Sequence, residues 1–205
     1  MWYIGIDPGT SGAIAMTRDF KVIIYHKCPV TPQEMAALIP ADDSAIAIIE
    51  EVHGRGFKPP ELIPPYYQKK DSEGAKWSAQ NTFTFGKNTG MWLGILACKG
   101  IPVIEVPPRT WQSVILGKFD KGMSKIRSLE VANSKYKLEL KNHNIADAVN
   151  LMTYCQYTEK QREEKAAQQV LITETLKNNP KDTEAIKNYF KKKAHNRAVL
   201  MGKKE

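Results

Sequence analysis

Three acids stand where the surrounding pattern calls for apolar residues. The opening run Trp-Tyr-Ile-Gly-Ile ends on Asp7, just before Pro8-Gly9-Thr10, and the run "SAIAIIEEV" carries Glu50 and Glu51 after five apolar positions. Asp147 falls among Ile145, Ala148, Leu151 and Met152. A carboxylate is expensive to desolvate unless it is paired, hydrogen-bonded or bound to a metal. No Lys or Arg adjoins Asp7 in the sequence. If the two strands are neighbours and the helix packs across them, the three carboxylates converge, and converging like charges repel unless a divalent cation lies between them. Hard oxygen ligands without cysteine favour magnesium, with manganese able to substitute. Two such ions about 4 Å apart can activate a water and stabilise the leaving oxygen of a phosphodiester.

The elements that must position these acids read as an α/β chain. Residues 2–6, 12–16 and 21–25 are β-prone and separated by turn signals, which predicts an antiparallel meander. Thr31 and Pro32 mark a helix start, with the helix running over residues 33–38. The apolar run at 44–52 predicts a strand buried on both faces. Residues 53–77 hold four prolines and three glycines among basic and aromatic residues, and so predict a long functional loop. A helix follows over 78–99, with Gly86, Gly90 and Gly94 on one face; tight packing against the core is the first expectation, a dimer contact the second. Then come a strand at 101–106, a short helix at 109–116, a helix at 124–136 with Ser124 as its N-cap, and a helix from Asn142 or His143 through Tyr157. The order predicts a mixed sheet flanked by helices.

The chain of 205 residues carries 30 Lys and Arg against 22 Asp and Glu, a formal charge of +8, which favours a polyanionic partner such as nucleic acid. Residues 159–205 hold 12 basic and 7 acidic residues, so five of the eight net charges lie in the last quarter of the chain. This predicts an α/β domain over 1–157 and a basic helical extension over 158–205, divided near Asn178-Asn179-Pro180. The extension reads equally as a solvated face or as a phosphate-tracking arm. Cys28, Cys98 and Cys155 are far apart and form no CxxC pair, so neither a zinc site nor a disulfide framework is expected. The N-terminus shows neither a charged leader nor an uninterrupted apolar span, and a cytoplasmic protein with no membrane partner is expected.

The segments "IGIDPGTSGAIA", "AIIEEV", "GKNTGMWLGILACKGIPVIEVPPRTWQSVILG" and "HNIADAVNL" stand in an order and spacing that resembles the RuvC-type Holliday junction resolvases, over about residues 2–155. The resemblance implies an RNase H-like five-stranded sheet, a homodimer, two magnesium ions per site and paired nicking of four-way DNA junctions. By position, Asp7, Glu50 and Asp147 resemble the family's metal-binding acids. The family commonly has two acids three residues apart on the last helix, and here the earlier position is Asn144, by that place a candidate metal ligand though a poorer one than a carboxylate. His143 precedes it, one turn before Asp147, and is expected to ligate metal or to move a proton. Glu51 alternates away from Glu50 and is a reserve candidate.

The resemblance also implies DNA contacts. In the long loop, His53, Phe57, Tyr66 and Tyr67 are candidates for stacking on unpaired bases, and Arg55, Lys58, Lys69 and Lys70 for holding phosphates. Arg109, Lys118 and Lys121 resemble backbone contacts, and Lys125 is the base expected nearest the site. Three other readings compete. Actin-like ATPases and sugar kinases share the strand followed by Asp-x-Gly-Thr, but need a second lobe and a second glycine-rich phosphate segment, which the residues after 100 do not offer, so no nucleotide cofactor is expected. A branched-DNA-binding protein that does not cut would explain Asn144, yet has no need of three unpaired acids. A nuclease of the same fold with another substrate, such as a hybrid, flap or fork, is the third.

Overall fold

The computed structural model describes residues 1–41, 44–51 and 79–178, together with Asn188. The chain divides into two compact units, Met1–Tyr157 and Thr158–Glu205. In the first, β1 (Trp2–Asp7), β2 (Ala13–Thr17) and β3 (Ile24–Lys27) precede α1 (Pro32–Leu38) and β4 (Ala45–Glu50). Then follow α2 (Ala79–Cys98), β5 (Val103–Val106), α3 (Pro108–Ile115), α4 (Ser124–Tyr136) and α5 (His143–Asn178).

The five strands form one mixed sheet of order β3-β2-β1-β4-β5. β1, β2 and β3 pair antiparallel, whereas β1 with β4 and β4 with β5 pair parallel. Helices cover both faces, giving the mixed five-stranded α/β sheet that the order of elements predicts. Strand alternation sorts the core. Ile4, Ile6, Ala47 and Ile49 face one side, where Met35 of α1 and Trp92 and Leu96 of α2 pack. Ala13 and Ala15 face the other side with Ala146, Ala148, Val149 and Met152 of α5, and Ile46 and Ile48 face it with Trp111 of α3 and Leu151 of α5. The inner strand β4 is apolar and buried along Ala45–Ile49 because water reaches neither of its faces there.

One glycine sets the distance between sheet and helix. A Cβ on Gly5 would lie 2.1 Å from the backbone nitrogen of Met152 and 2.3 Å from the carbonyl oxygen of Ala148. Only hydrogen fits there, so α5 lies directly on β1. The start of α1 is fixed by a capping box: Thr31 Oγ1 accepts from the Glu34 backbone N–H, and the Glu34 carboxylate accepts from the Thr31 N–H.

Several expectations are corrected. β3 begins at Ile24, not near residue 21, because the turn is longer: Asp19 Oδ1 accepts from the N–H groups of Lys21 and Val22, and Thr17 Oγ1 accepts from Phe20 and donates to the Val22 carbonyl. Ser124 is the first residue of α4, not its cap, which is Met123 without a side-chain bond. The last helix does not stop at Tyr157; α5 is continuous through Asn178, so the change in composition falls within a helix. Residue 179 and its successors, Asn188 aside, lie outside the described residues, as does the loop at 53–77. Gly86, Gly90 and Gly94 are exposed, and a Cβ on any of them would meet nothing within 4 Å among the described residues, so they do not record core packing.

Among the described residues no helix is long and apolar enough to cross a membrane. The three cysteines are thiols and form no disulfide. Cys155 is buried, Cys98 is exposed, and Cys28 donates to the Asp7 carbonyl at 3.3 Å, its thiol pushed up to about 12 chiefly by burial.

Candidate active site

Because β1 and β4 run parallel as neighbours, with Ile6 opposite Ile49, their last residues Asp7 and Glu50 emerge side by side. Both follow positions that face α5: Asp7 alternates with Gly5, and Glu50 with Ile48. The close approach of α5 at Gly5 brings Ala148 onto β1, and Asp147 is the residue before it. The charge of Asp7 acts on both Glu50 and Asp147, and that of Asp147 on Glu50. The structure therefore brings the three acids together.

Each acid has one oxygen held by a neutral donor from another part of the chain. Asp7 Oδ1 accepts from the Gly9 N–H at 3.2 Å, within the turn closed by Gly12 N–H to the Gly9 carbonyl at 2.9 Å. Glu50 Oε2 accepts from Trp111 Nε1 at 2.8 Å. Asp147 Oδ1 accepts from the Ser128 hydroxyl. Among the described residues none of the three forms an ion pair; the pairs there are Arg127–Glu130 and Arg162–Glu159. Trp111 and Ser128 are fully buried, so these donors are part of the packed core.

The acids are correspondingly reluctant to ionise. Burial pushes Glu50 up to about 7, with the charge of Asp7 adding to it, the Trp111 bond opposing and Asp147 adding further. Burial likewise raises Asp147 to about 7, against the Ser128 bond and the Lys125 charge and reinforced by Asp7. Asp7 is also raised by burial, with the Gly9 bond opposing. Such shifts mark carboxylates whose burial outweighs the positive charge that the described residues bring near them.

His143 opens α5 one turn before Asp147. Partial burial and then the positive charge of Lys125 lower its pKa, which favours the neutral imidazole. Lys125, exposed on the first turn of α4, thus reaches both His143 and Asp147 electrostatically. Asn144 is engaged in a tertiary contact instead, since its Nδ2 donates to the Ser11 carbonyl at 2.5 Å and ties the turn after β1 to the start of α5. The Glu51 N–H donates to the Val106 carbonyl at 2.9 Å and extends the β4–β5 ladder.

Arg109 and Lys118 line a groove of about 430 Å³ with Gln112, Ser113, Gly117 and Phe119, and Lys121 is exposed on the following turn. His53, Arg55, Phe57, Lys58, Tyr66, Tyr67, Lys69 and Lys70 lie outside the described residues. Sequence reasoning passed over Trp111, Ser128 and Asn150. A signal for Asn150 exists: it is an amide within the apolar run 145–155, one turn beyond Asp147. Trp111 and Ser128 carry no comparable mark.

All donors in the acid cluster are oxygen, apart from the His143 imidazole, and this chemistry suits a divalent cation such as magnesium or manganese. As the side chains stand, no three His, Cys, Asp or Glu residues among the described ones form a ready-made metal group.

No protein-family model matches the chain, and no curated protein matches it. Among solved structures it is similar to Thermus thermophilus RuvC in complex with a Holliday junction substrate, with a TM-score of 0.46 and 13% identity over 78% of this chain and 96% of that one. A second Thermus thermophilus RuvC structure gives a TM-score of 0.46 and 15% identity, over 78% of this chain and 97% of that one.

Proposed function

We propose that the chain is a divalent-metal-dependent endonuclease that resolves four-way DNA junctions by paired nicking, in recombination, repair or phage DNA processing. The observation that carries this reading is the acid cluster: Asp7, Glu50 and Asp147 at the C-terminal end of the inner strands, half-buried, mutually repelling and held by neutral donors. A purely structural role gives no return for that arrangement. A binding role alone would place the repulsion next to phosphate.

In this reading Asp7, Glu50 and Asp147 hold two magnesium ions, with His143 as a further ligand or proton carrier. When bound, the ions supply Lewis-acid activation of the phosphodiester and of a water. The chain supplies orientation. Gly9, Trp111 and Ser128 each fix one carboxylate oxygen, and the neutral imidazole of His143 can take a proton at a ring nitrogen and return it to the leaving oxygen. Lys125 acts electrostatically on Asp147 and can draw a phosphate toward the site. In-line attack would leave 5′-phosphate and 3′-hydroxyl ends.

Arg109, Lys118 and Lys121, with the basic loop residues, would hold the DNA backbone. A two-fold dimer would match the symmetry of the junction and place one site on each nicked strand. The exposed face of α2, with Gly86, Gly90, Gly94 and the largely exposed Phe83, is the element proposed for that contact.

The test is cleavage of an end-labelled four-way junction beside matched duplex, flap and fork, with magnesium, manganese or EDTA. Metal-dependent symmetric nicks in the junction, lost in Asp7→Asn while gel-shift binding survives, are the expected result. Nicking confined to flaps or forks would reassign the substrate. Tight junction binding by the wild type with no nicking under either metal would sink the nuclease reading.

A further inference from the structure

We infer that Asn150 and Ser128 form a buried relay that fixes the carboxylate of Asp147 for metal binding, so that both are positioning residues of the site. The inference rests on the metal-dependent reading above.

Asp147 and Asn150 are three residues apart on α5 and share a face. Ser128 approaches that face from α4, and both Ser128 and Asn150 are fully buried. Asn150 Nδ2 donates to the Ser128 carbonyl at 3.0 Å and to the Ser128 hydroxyl oxygen at 2.9 Å. A backbone carbonyl only accepts, so it dictates which end of the Asn150 amide faces α4. The hydroxyl oxygen is then an acceptor toward Asn150, and its own proton is directed to Asp147 Oδ1.

The amide oxygen of Asn150 is buried and has no partner among the described residues. Leaving such an atom unsatisfied is unfavourable, and an apolar side chain would fill the same place between the helices without that penalty. What the amide adds over an apolar residue is a fixed hydroxyl rotor. The relay ends on a neutral donor, so Asp147 is oriented while its negative charge stays available to a cation, which a Lys or Arg in place of Ser128 would neutralise. Hydrogen-bonded residues behind a metal ligand typically affect metal affinity by about 10–100-fold.

The experiment is calorimetric titration of the full chain with Mn²⁺, in parallel with thermal melts without metal, on wild type, Ser128→Ala, Ser128→Thr, Asn150→Leu and Asp147→Asn. Ser128→Ala should bind Mn²⁺ about 10–100-fold more weakly, and Ser128→Thr, which keeps the hydroxyl, should recover most of the affinity. Asn150→Leu, which leaves the hydroxyl present but free to turn, should fall between them and carries the test if Ser128→Ala does not fold. Variants that melt lower yet bind Mn²⁺ as the wild type does would assign the pair to helix packing and overturn the relay alone. A wild type that takes up no more Mn²⁺ than Asp147→Asn would overturn the metal reading and the relay together.

Discussion

Glycines mark two helix surfaces in this protein, and they mean opposite things. At Gly5 the strand has no side chain because the backbone of α5 occupies the space a Cβ would need. On α2, Gly86, Gly90 and Gly94 face open space among the described residues. The first surface is closed and places Asp147 beside Asp7; the second contributes nothing to the core. A glycine in a buried strand thus reports a contact already made. A row of glycines on a helix reports only that a close contact is possible.

The largest effect that follows is at the closed surface. Gly5→Ala should abolish cooperative folding or lower stability by more than about 4 kcal/mol, because the clash is with backbone that cannot rotate away. A Gly5→Ala chain with a circular-dichroism melt close to wild type would show that α5 can move off the strand. Next comes the charge that this contact buries. In metal-free protein at pH 8, Asp147→Asn should raise the melting temperature by about 5 °C, since the folded state no longer holds a repelled carboxylate; an unchanged or lower value would mean that the repulsion is relieved elsewhere.

The pH dependence has the same origin. Asp7, Glu50 and Asp147 are all raised in the folded state, so the native protein binds protons more tightly than the unfolded chain. The stability this provides is fully present below the ordinary carboxylate range and is lost as pH rises through about 7. Metal-free wild type should therefore melt progressively lower between pH 5 and pH 8, with a shallower slope for Asp147→Asn, as scanning calorimetry would show. Saturating magnesium should flatten the wild-type slope. The smallest effect belongs to the open surface: Gly90→Ala should stabilise the monomer by about 1 kcal/mol through helix propensity. If α2 forms the dimer contact, sedimentation velocity should show the same substitution weakening the dimer.

How much of this was legible from the residues follows from what each signal measures. Asp7 and Glu50 were visible because a charge at the end of an apolar strand is a local anomaly; that β1 and β4 are parallel neighbours is a long-range pairing that the residues leave as a condition. Asn150 left a trace as an amide in an apolar stripe, but its partner Ser128 is 22 residues away and meets it only through the packing of α4 on α5. Trp111 is 61 residues from Glu50, and an indole in a short amphipathic helix looks like ordinary core. The start of β3 is hidden in the sequence because the Asp19 and Thr17 side chains bind turn N–H groups that a strand would otherwise use. The α2 glycines misled because spacing along a helix shows which residues share a face, not what that face meets.

The three thiols have a practical consequence. Thiol-directed reagents attack the thiolate. Cys28 is held almost wholly protonated by its burial and donates to the Asp7 carbonyl, and Cys155 is fully buried. Cys98, exposed at the last position of α2, is thus a single natural attachment point, and a maleimide fluorophore or spin label can be placed there on the unaltered chain without a cysteine-free background.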